Sequence, residues 1–275
     1  MSTSASLPRR RMLTAALLSV GNVASIRPAS GATPASRPTL TAQTTEGPYY
    51  FDPGLVRADI TEGLPGIPLD LALAVRDEQG QPLAGARVDV WHCDASGLYS
   101  GYDGQGEDGR VSTRGRTFLR GSQFSDGDGR VNFRSVYPGW YEGRTTHIHF
   151  KVLYRGAAVL TSQFFLPDAL SEYIYTHLPA YRRAHLRAVL NSNDGIALQA
   201  GGSVLGAVRE ADGRYVASLD VAVDRLARPQ VDRPPQPGAG MPPDRPPPDG
   251  VPPRREASDG AARVAALVPG ARQAR

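Results

Sequence analysis

Thr146-His147-Ile148-His149-Phe150 sets two imidazoles two residues apart in a run of strand-forming residues. Successive side chains of a strand point to opposite faces, so His147 and His149 project together toward one point while Ile148 turns away. Two imidazoles so placed can share one metal ion, although the same spacing also occurs in purely structural or surface pairs. Two tyrosines extend the constellation. Gly97-Leu98-Tyr99 follows Val88-Asp89-Val90-Trp91-His92-Cys93, where strand gives way to loop, and Pro138-Gly139-Trp140-Tyr141-Glu142-Gly143-Arg144 lies directly upstream of the histidines. Phenolate is a hard anionic donor matched to iron(III), whereas zinc and copper sites draw on imidazole, thiolate or carboxylate. Two phenolates with two imidazoles would hold ferric iron at balanced charge and leave a coordination position open. The residues alone leave two other readings standing: tyrosines that are rim aromatics, and a copper or zinc site on the histidines with the tyrosines as spectators.

Strands must carry these side chains. Leu69 to Val75 alternates, a turn follows at Asp77-Glu78-Gln79-Gly80, and Ala86 to His92 alternates again, which predicts a hairpin-like pair. Ser125-Asp126-Gly127-Asp128-Gly129 is a turn signal before a strand at Val131 to Val136. Further strands are predicted at His147 to Leu153, Ala158 to Phe165, Val204 to Val208 and Tyr215 to Val221. Short strands at this spacing predict an all-β, immunoglobulin-like sandwich of mostly antiparallel strands. Leu170 to Leu190 has helical spacing broken by Pro179, predicting two short helices.

Around this body lie two segments of different character. Residues 1–32 run from Arg9-Arg10-Arg11 through a short apolar stretch to small residues, the layout of an export signal, and the paired arginines resemble a bacterial twin-arginine leader. A periplasmic or extracellular protein is the expectation, and the apolar stretch is too short for a permanent membrane span. Residues 229–275 form a proline- and arginine-rich tail whose composition predicts disorder, with Ala261 to Val268 able to form a helical turn or two. The net charge of +4 comes from these ends, which leaves the body, residues 33–228, mildly acidic and argues against nucleic-acid binding. Cys93 is the only cysteine, so no internal disulfide exists, and its alternating surroundings predict a buried thiol.

The runs VDVWHCDASGLYS, YPGWYEGR and HIHF, with Thr161-Ser162-Gln163-Phe164 after them, resemble an intradiol ring-cleavage dioxygenase in content and order across residues 40 to 222. That resemblance implies a β-sandwich holding one Fe(3+) per chain on Tyr99, Tyr141, His147 and His149, and opening of a catechol-type ring by dioxygen to a muconate-type diacid. It also implies that Arg144 and Gln163 line the substrate side, that Tyr141 leaves the metal and takes a substrate proton, and that Tyr49, in Glu46-Gly47-Pro48-Tyr49, sits near the pocket mouth. Only five residues separate Tyr141 from His147, a short loop for the family, and Tyr137 lies close enough upstream to compete for the second tyrosine position. His92, His177 and His185 are not expected as ligands. The N-terminal helical dimerisation region of the catechol-cleaving branch has no counterpart in this sequence, so a homo-oligomer is left open. The rival class is a non-catalytic binding sandwich, suggested by Gln81 to Val88; the four filled ligand positions favour the enzyme.

Overall fold

The structure is a computed structural model and describes residues 37–228 and 261–267. The expected export signal and most of the proline-rich tail lie outside the described residues. Among the described residues no helix is long and apolar enough to cross a membrane.

Among the described residues, eight strands form two four-stranded sheets. β1 (Pro68–Asp77), β4 (Arg130–Val136), β7 (Ala207–Ala211) and β8 (Arg214–Val223) make the first in the order β4-β1-β8-β7. β2 (Arg87–Trp91), β3 (Arg120–Phe124), β5 (His147–Tyr154) and β6 (Ala157–Phe165) make the second in the order β3-β2-β5-β6. Every pairing between these strands is antiparallel except β1 with β8. The expected sandwich is therefore present, and its core follows the alternation: Leu69, Leu71, Leu73 and Val75 of β1 meet Val88, Val90, Ile148, Phe150 and Val152 from the other sheet.

Three expectations are corrected. The segments Leu69 to Val75 and Ala86 to His92 are not a hairpin but stand in opposite sheets. The turn between them does reverse the chain, with Asp77 Oδ1 accepting from the Gln79 and Gln81 amides, but both edges of β1 are occupied by β4 and β8. Period-two alternation says which residues face the core and nothing about which strand is the neighbour. In the region 170–190, α1 (Asp168–His177) forms and a single 3₁₀ turn follows at Pro179–Tyr181, but the second helix does not. The arginines there are drawn out of helical geometry: Arg187 is buried against Asp168 and Glu172, and Arg183 donates to the Ser96 and Trp140 carbonyls. The second helix is instead α2 (Gly195–Ala200). The strand expected at Val204 to Val208 begins at Ala207 because Val204 closes a 3₁₀ turn, and β3, with few apolar residues to signal it, was not anticipated. α3 (Ala261–Leu267) realises the helical turns expected in the tail, and its Arg263 makes a two-pronged ion pair with Glu172 of α1.

His92 links the sheets. Its Nδ1 lies 2.8 Å from the Cys93 carbonyl and so carries the proton, leaving Nε2 to accept from Ser135 Oγ at 2.7 Å, on β4 of the other sheet. Burial pushes this imidazole down from its ordinary 6.5 to about 4. The unfolded chain therefore binds the proton first, so this contribution to stability is complete above pH 6.5 and is lost as pH falls toward 4. Its ceiling is roughly 3 kcal/mol. Urea midpoints of metal-free protein should fall across that window, and His92→Gln should flatten the slope; an unchanged slope in the variant would refute this assignment.

Candidate metal centre

β5 alternates in polarity, yet its residues are buried on both faces from His147 to Val152. Ile148, Phe150 and Val152 enter the sandwich core, and His147, His149 and Lys151 face the other way, beneath loops. The register sets Arg120, Trp91, His149 and Gln163 side by side across β3, β2, β5 and β6. Trp91 stacks on His149 with ring centroids 4.8 Å apart and planes 11° apart, fixing the imidazole's plane.

Two loops bring in the tyrosines. Tyr99 is held through its backbone, its amide donating to Gln105 Oε1 at 3.1 Å and its carbonyl accepting from Thr113 Oγ1 at 2.5 Å. The loop carrying Tyr141 lies directly on the loop carrying Tyr99, with the Gly139 amide donating to the Asp94 carbonyl at 2.9 Å. Glycines permit this approach: a Cβ on Gly97 would sit 2.1 Å from the Trp140 carbonyl oxygen, and one on Gly139 would sit 2.3 Å from that of Ala95. The Tyr99 and Tyr141 rings come to 5.6 Å between centroids. Tyr49 stacks on Tyr99 at 4.4 Å and 18°, covering that ring.

The four side chains converge on one nitrogen. His147 Nε2 lies 3.0 Å from His149 Nε2, 3.2 Å from the Tyr141 hydroxyl and 3.4 Å from the Tyr99 hydroxyl. Tyr137 is not part of this group; its hydroxyl is buried 2.8 Å from Ser171 Oγ on α1. His177 and His185 are exposed and His92 bridges the sheets, so none of the three joins the cluster, as expected. Arg144 lies beside it, donating from Nε to Asp194 Oδ2 at 2.9 Å and from Nη2 to Gln163 Oε1 at 2.6 Å.

Do these residues fit a metal? His147 Nδ1 lies 2.7 Å from the Thr145 carbonyl, so it bears the proton and Nε2 offers a single lone pair. One lone pair cannot satisfy three neighbours, and His149 Nδ1 is buried with no hydrogen-bond partner. A cation at the convergence point would take both Nε2 lone pairs and both hydroxyl oxygens. Burial, with Arg144 adding to it, pushes His147 below its ordinary range, and burial together with His147 does the same to His149, so both are neutral donors at pH 7. Burial raises Tyr99 and Tyr141, so a strongly charged cation is what would release their protons. Two anionic oxygens and two imidazoles suit ferric iron. Among the described residues no group of three or more His, Cys, Asp and Glu side chains forms a rival metal site.

Asp194 was missed in the sequence. It stands in Asn193-Asp194-Gly195, which reads as a turn, and its partner Arg144 is 50 residues away. Burial alone would raise its carboxyl, but the Arg144 charge and the amides of Thr145 and Ala197 more than offset that and hold it below the ordinary range.

Residues 45–194 match the family model described as "Dioxygenase". The solved intradiol ring-cleavage dioxygenase from Tetranychus urticae is 30% identical, with 69% of this chain and 96% of that one covered at a TM-score of 0.62. The dioxygenase domain of a dioxygenase–carbohydrate-binding fusion from Streptomyces sp. SirexAA-E is 28% identical, with 68% of this chain and 99% of that one covered at a TM-score of 0.51. A catechol 1,2-dioxygenase from Acinetobacter lwoffii is 30% identical over 147 residues, 45% of each chain. The chain spans about half the length of the curated relatives it matches.

Proposed function

We propose, because this chain belongs to the intradiol ring-cleavage dioxygenase family, that it opens a catechol-type ring between its two hydroxyl-bearing carbons, with ferric iron on Tyr99, Tyr141, His147 and His149. The convergence of both tyrosine hydroxyls and His149 Nε2 on His147 Nε2, within 3.0–3.4 Å, carries this reading. When bound, ferric iron supplies Lewis acidity and an electron sink that open an ortho-diol to direct attack by dioxygen. Both oxygen atoms end in the two new carboxyl groups of a muconate-type diacid, so no external reductant is needed.

The chain's own residues divide the remaining work. Tyr99 is buried, held at both its backbone amide and carbonyl, and roofed by Tyr49, so it stays in place. Tyr141 is half-buried and precedes the exposed Glu142 and Gly143, so it is the tyrosine free to swing aside. Its phenolate, whose proton affinity burial raises, accepts a hydroxyl proton from the diol. No carboxylate base is required. Arg144, oriented by Gln163, places a permanent positive charge beside the ring as negative charge develops there. Tyr49 covers the Tyr99 ring and Trp91 covers the His149 ring. Arg9-Arg10-Arg11 and the apolar run after them support export by the twin-arginine route, which carries folded protein and suits a metal loaded beforehand.

Iron-loaded full chain should be tested against catechols bearing hydrogen, halogen, alkyl, hydroxyl or carboxylate substituents. The expected result is uptake of one dioxygen per ring and a diacid carrying both labelled atoms from heavy oxygen. No uptake with any of them by folded, iron-loaded protein, or a semialdehyde product, would overturn the reading.

A further inference from the structure

Arg144 cannot aim itself. Its guanidinium stands on the loop before β5, and a long side chain there has several staggered arrangements of similar energy. The carboxylate of Asp194, 2% exposed, meets it from a segment 50 residues downstream. Every hydrogen bond of that carboxylate is accounted for. Oδ1 accepts from the amides of Ile196 at 2.9 Å and Ala197 at 3.1 Å, capping α2. Oδ2, on the other side, accepts from Arg144 Nε at 2.9 Å and from the Thr145 amide at 2.9 Å. A helix cap needs only the first oxygen; the second is spent on the site.

The same contacts reach the histidines. The Thr145 carbonyl accepts the proton of His147 Nδ1 at 2.7 Å, so the residue whose amide Asp194 anchors also sets the His147 tautomer. Gln163, which takes Arg144 Nη2, is itself anchored through Nε2 to the Thr45 carbonyl at 2.9 Å and stands opposite His149 in the sheet. One buried anion and one buried amide thus grip the guanidinium from two directions. The anion also balances a cation that would otherwise be buried uncompensated next to the metal's charge.

We propose that Asp194 is the positioning residue of this site, aiming Arg144 at the bound ring by gripping Nε while its second oxygen caps α2; this rests on the ring-cleaving function proposed above. Asparagine at this position preserves one acceptor oxygen and remains a good helix cap. It presents an NH2 group where Arg144 and Thr145 need an acceptor.

The test compares wild type, Asp194→Asn, Arg144→Ala and the double variant as iron-loaded full chains. Iron content, visible absorbance, melting temperature and steady-state constants with catechol in air would be measured for each. Asp194→Asn should keep its iron and lose kcat by roughly 10–100-fold with KM changed far less, the range typical of partners that orient a reacting group. In the Arg144→Ala background the same substitution should change kcat less than about threefold, because non-additivity marks a shared route. An equal loss in both backgrounds, or wild-type kcat in Asp194→Asn, would overturn the proposal. A measurement free of turnover separates it from the function itself: the Arg144 Nε–H resonance in nitrogen-15 spectra of metal-free protein. It should be slow to exchange in wild type and fast in Asp194→Asn, and protection retained in the variant refutes the grip. Protection lost as expected, with an iron-loaded wild type that cleaves no catechol, refutes the function and leaves the grip standing.

Discussion

Replacement of His149 by leucine is expected to yield a folded protein with no bound iron, no red colour and no ring-cleaving turnover. The imidazole is one of the four groups at the convergence point, 3.0 Å from His147 Nε2. Loss of groups that merely orient a ligand costs about 10–100-fold in metal affinity, so losing a ligand itself should exceed about 100-fold. Stability of the metal-free protein should move the other way. His149 Nδ1 is buried without a partner, a cost of about 1–3 kcal/mol that leucine removes. Against that stands the stack on Trp91, worth about 0.5–1.5 kcal/mol. The first effect wins, so the metal-free variant should melt no lower than metal-free wild type and by up to a few degrees higher, at about 2–4 °C per kcal/mol. Iron should then raise the melting temperature of wild type alone, since only it binds. Retention of one iron per chain and of the visible band in the leucine variant would sink the ligand assignment.

Gly97→Ala is expected to lose iron from a distance. Gly97 touches none of the four donor atoms, but its φ of +77° strains any side chain, and its new Cβ would stand 2.1 Å from the Trp140 carbonyl oxygen. Conformational strain costs about 1–2 kcal/mol. The clash is with backbone, so it is relieved only by parting the two tyrosine loops, and the sum should reach about 3–5 kcal/mol, or roughly 10 °C in melting temperature. Gly156→Ala supplies the control. It shares a positive φ of +78° but has nothing within 4 Å of the added carbon, so it should lose only the strain and keep its iron and colour. Calorimetry with iron analysis of both variants decides the matter, and equal iron content in the two would disprove the role given to loop contact.

Much of this was legible in the sequence because strands have a short period. Two histidines at His147 and His149 share a face whatever else the chain does, and Leu69 to Val75 must bury alternate residues. Chemistry also travels in residue types: two tyrosines beside two histidines suit a hard cation, although residue types alone also fit copper or zinc on the histidines. What local pattern could not supply was pairing at long range. β1 and β2 both alternate, yet they lie in different sheets because alternation is satisfied equally by a neighbour and by a facing layer. The helical spacing of 182–190 yielded to buried ion pairs of Arg187, which stabilise only when Asp168 and Glu172 are already placed.

The choice of Tyr141 over Tyr137 belongs to the same class. Four residues apart, each is a tyrosine beside the histidines in sequence, and only the docking of one loop on another sends Tyr141 inward and Tyr137 to Ser171. Asp194 was silent for a like reason: a carboxylate in a turn looks like any other until a guanidinium 50 residues away meets it. Side-chain chemistry and strand period were enough for the sandwich and for the face on which the histidines stand, and the resemblance to a ring-cleaving family implied the tyrosines that join them. The tertiary fold supplied how the tyrosine loops dock, with Tyr141 beside the histidines and Tyr137 on Ser171, and what holds Arg144, because those depend on contacts between segments that share no local pattern.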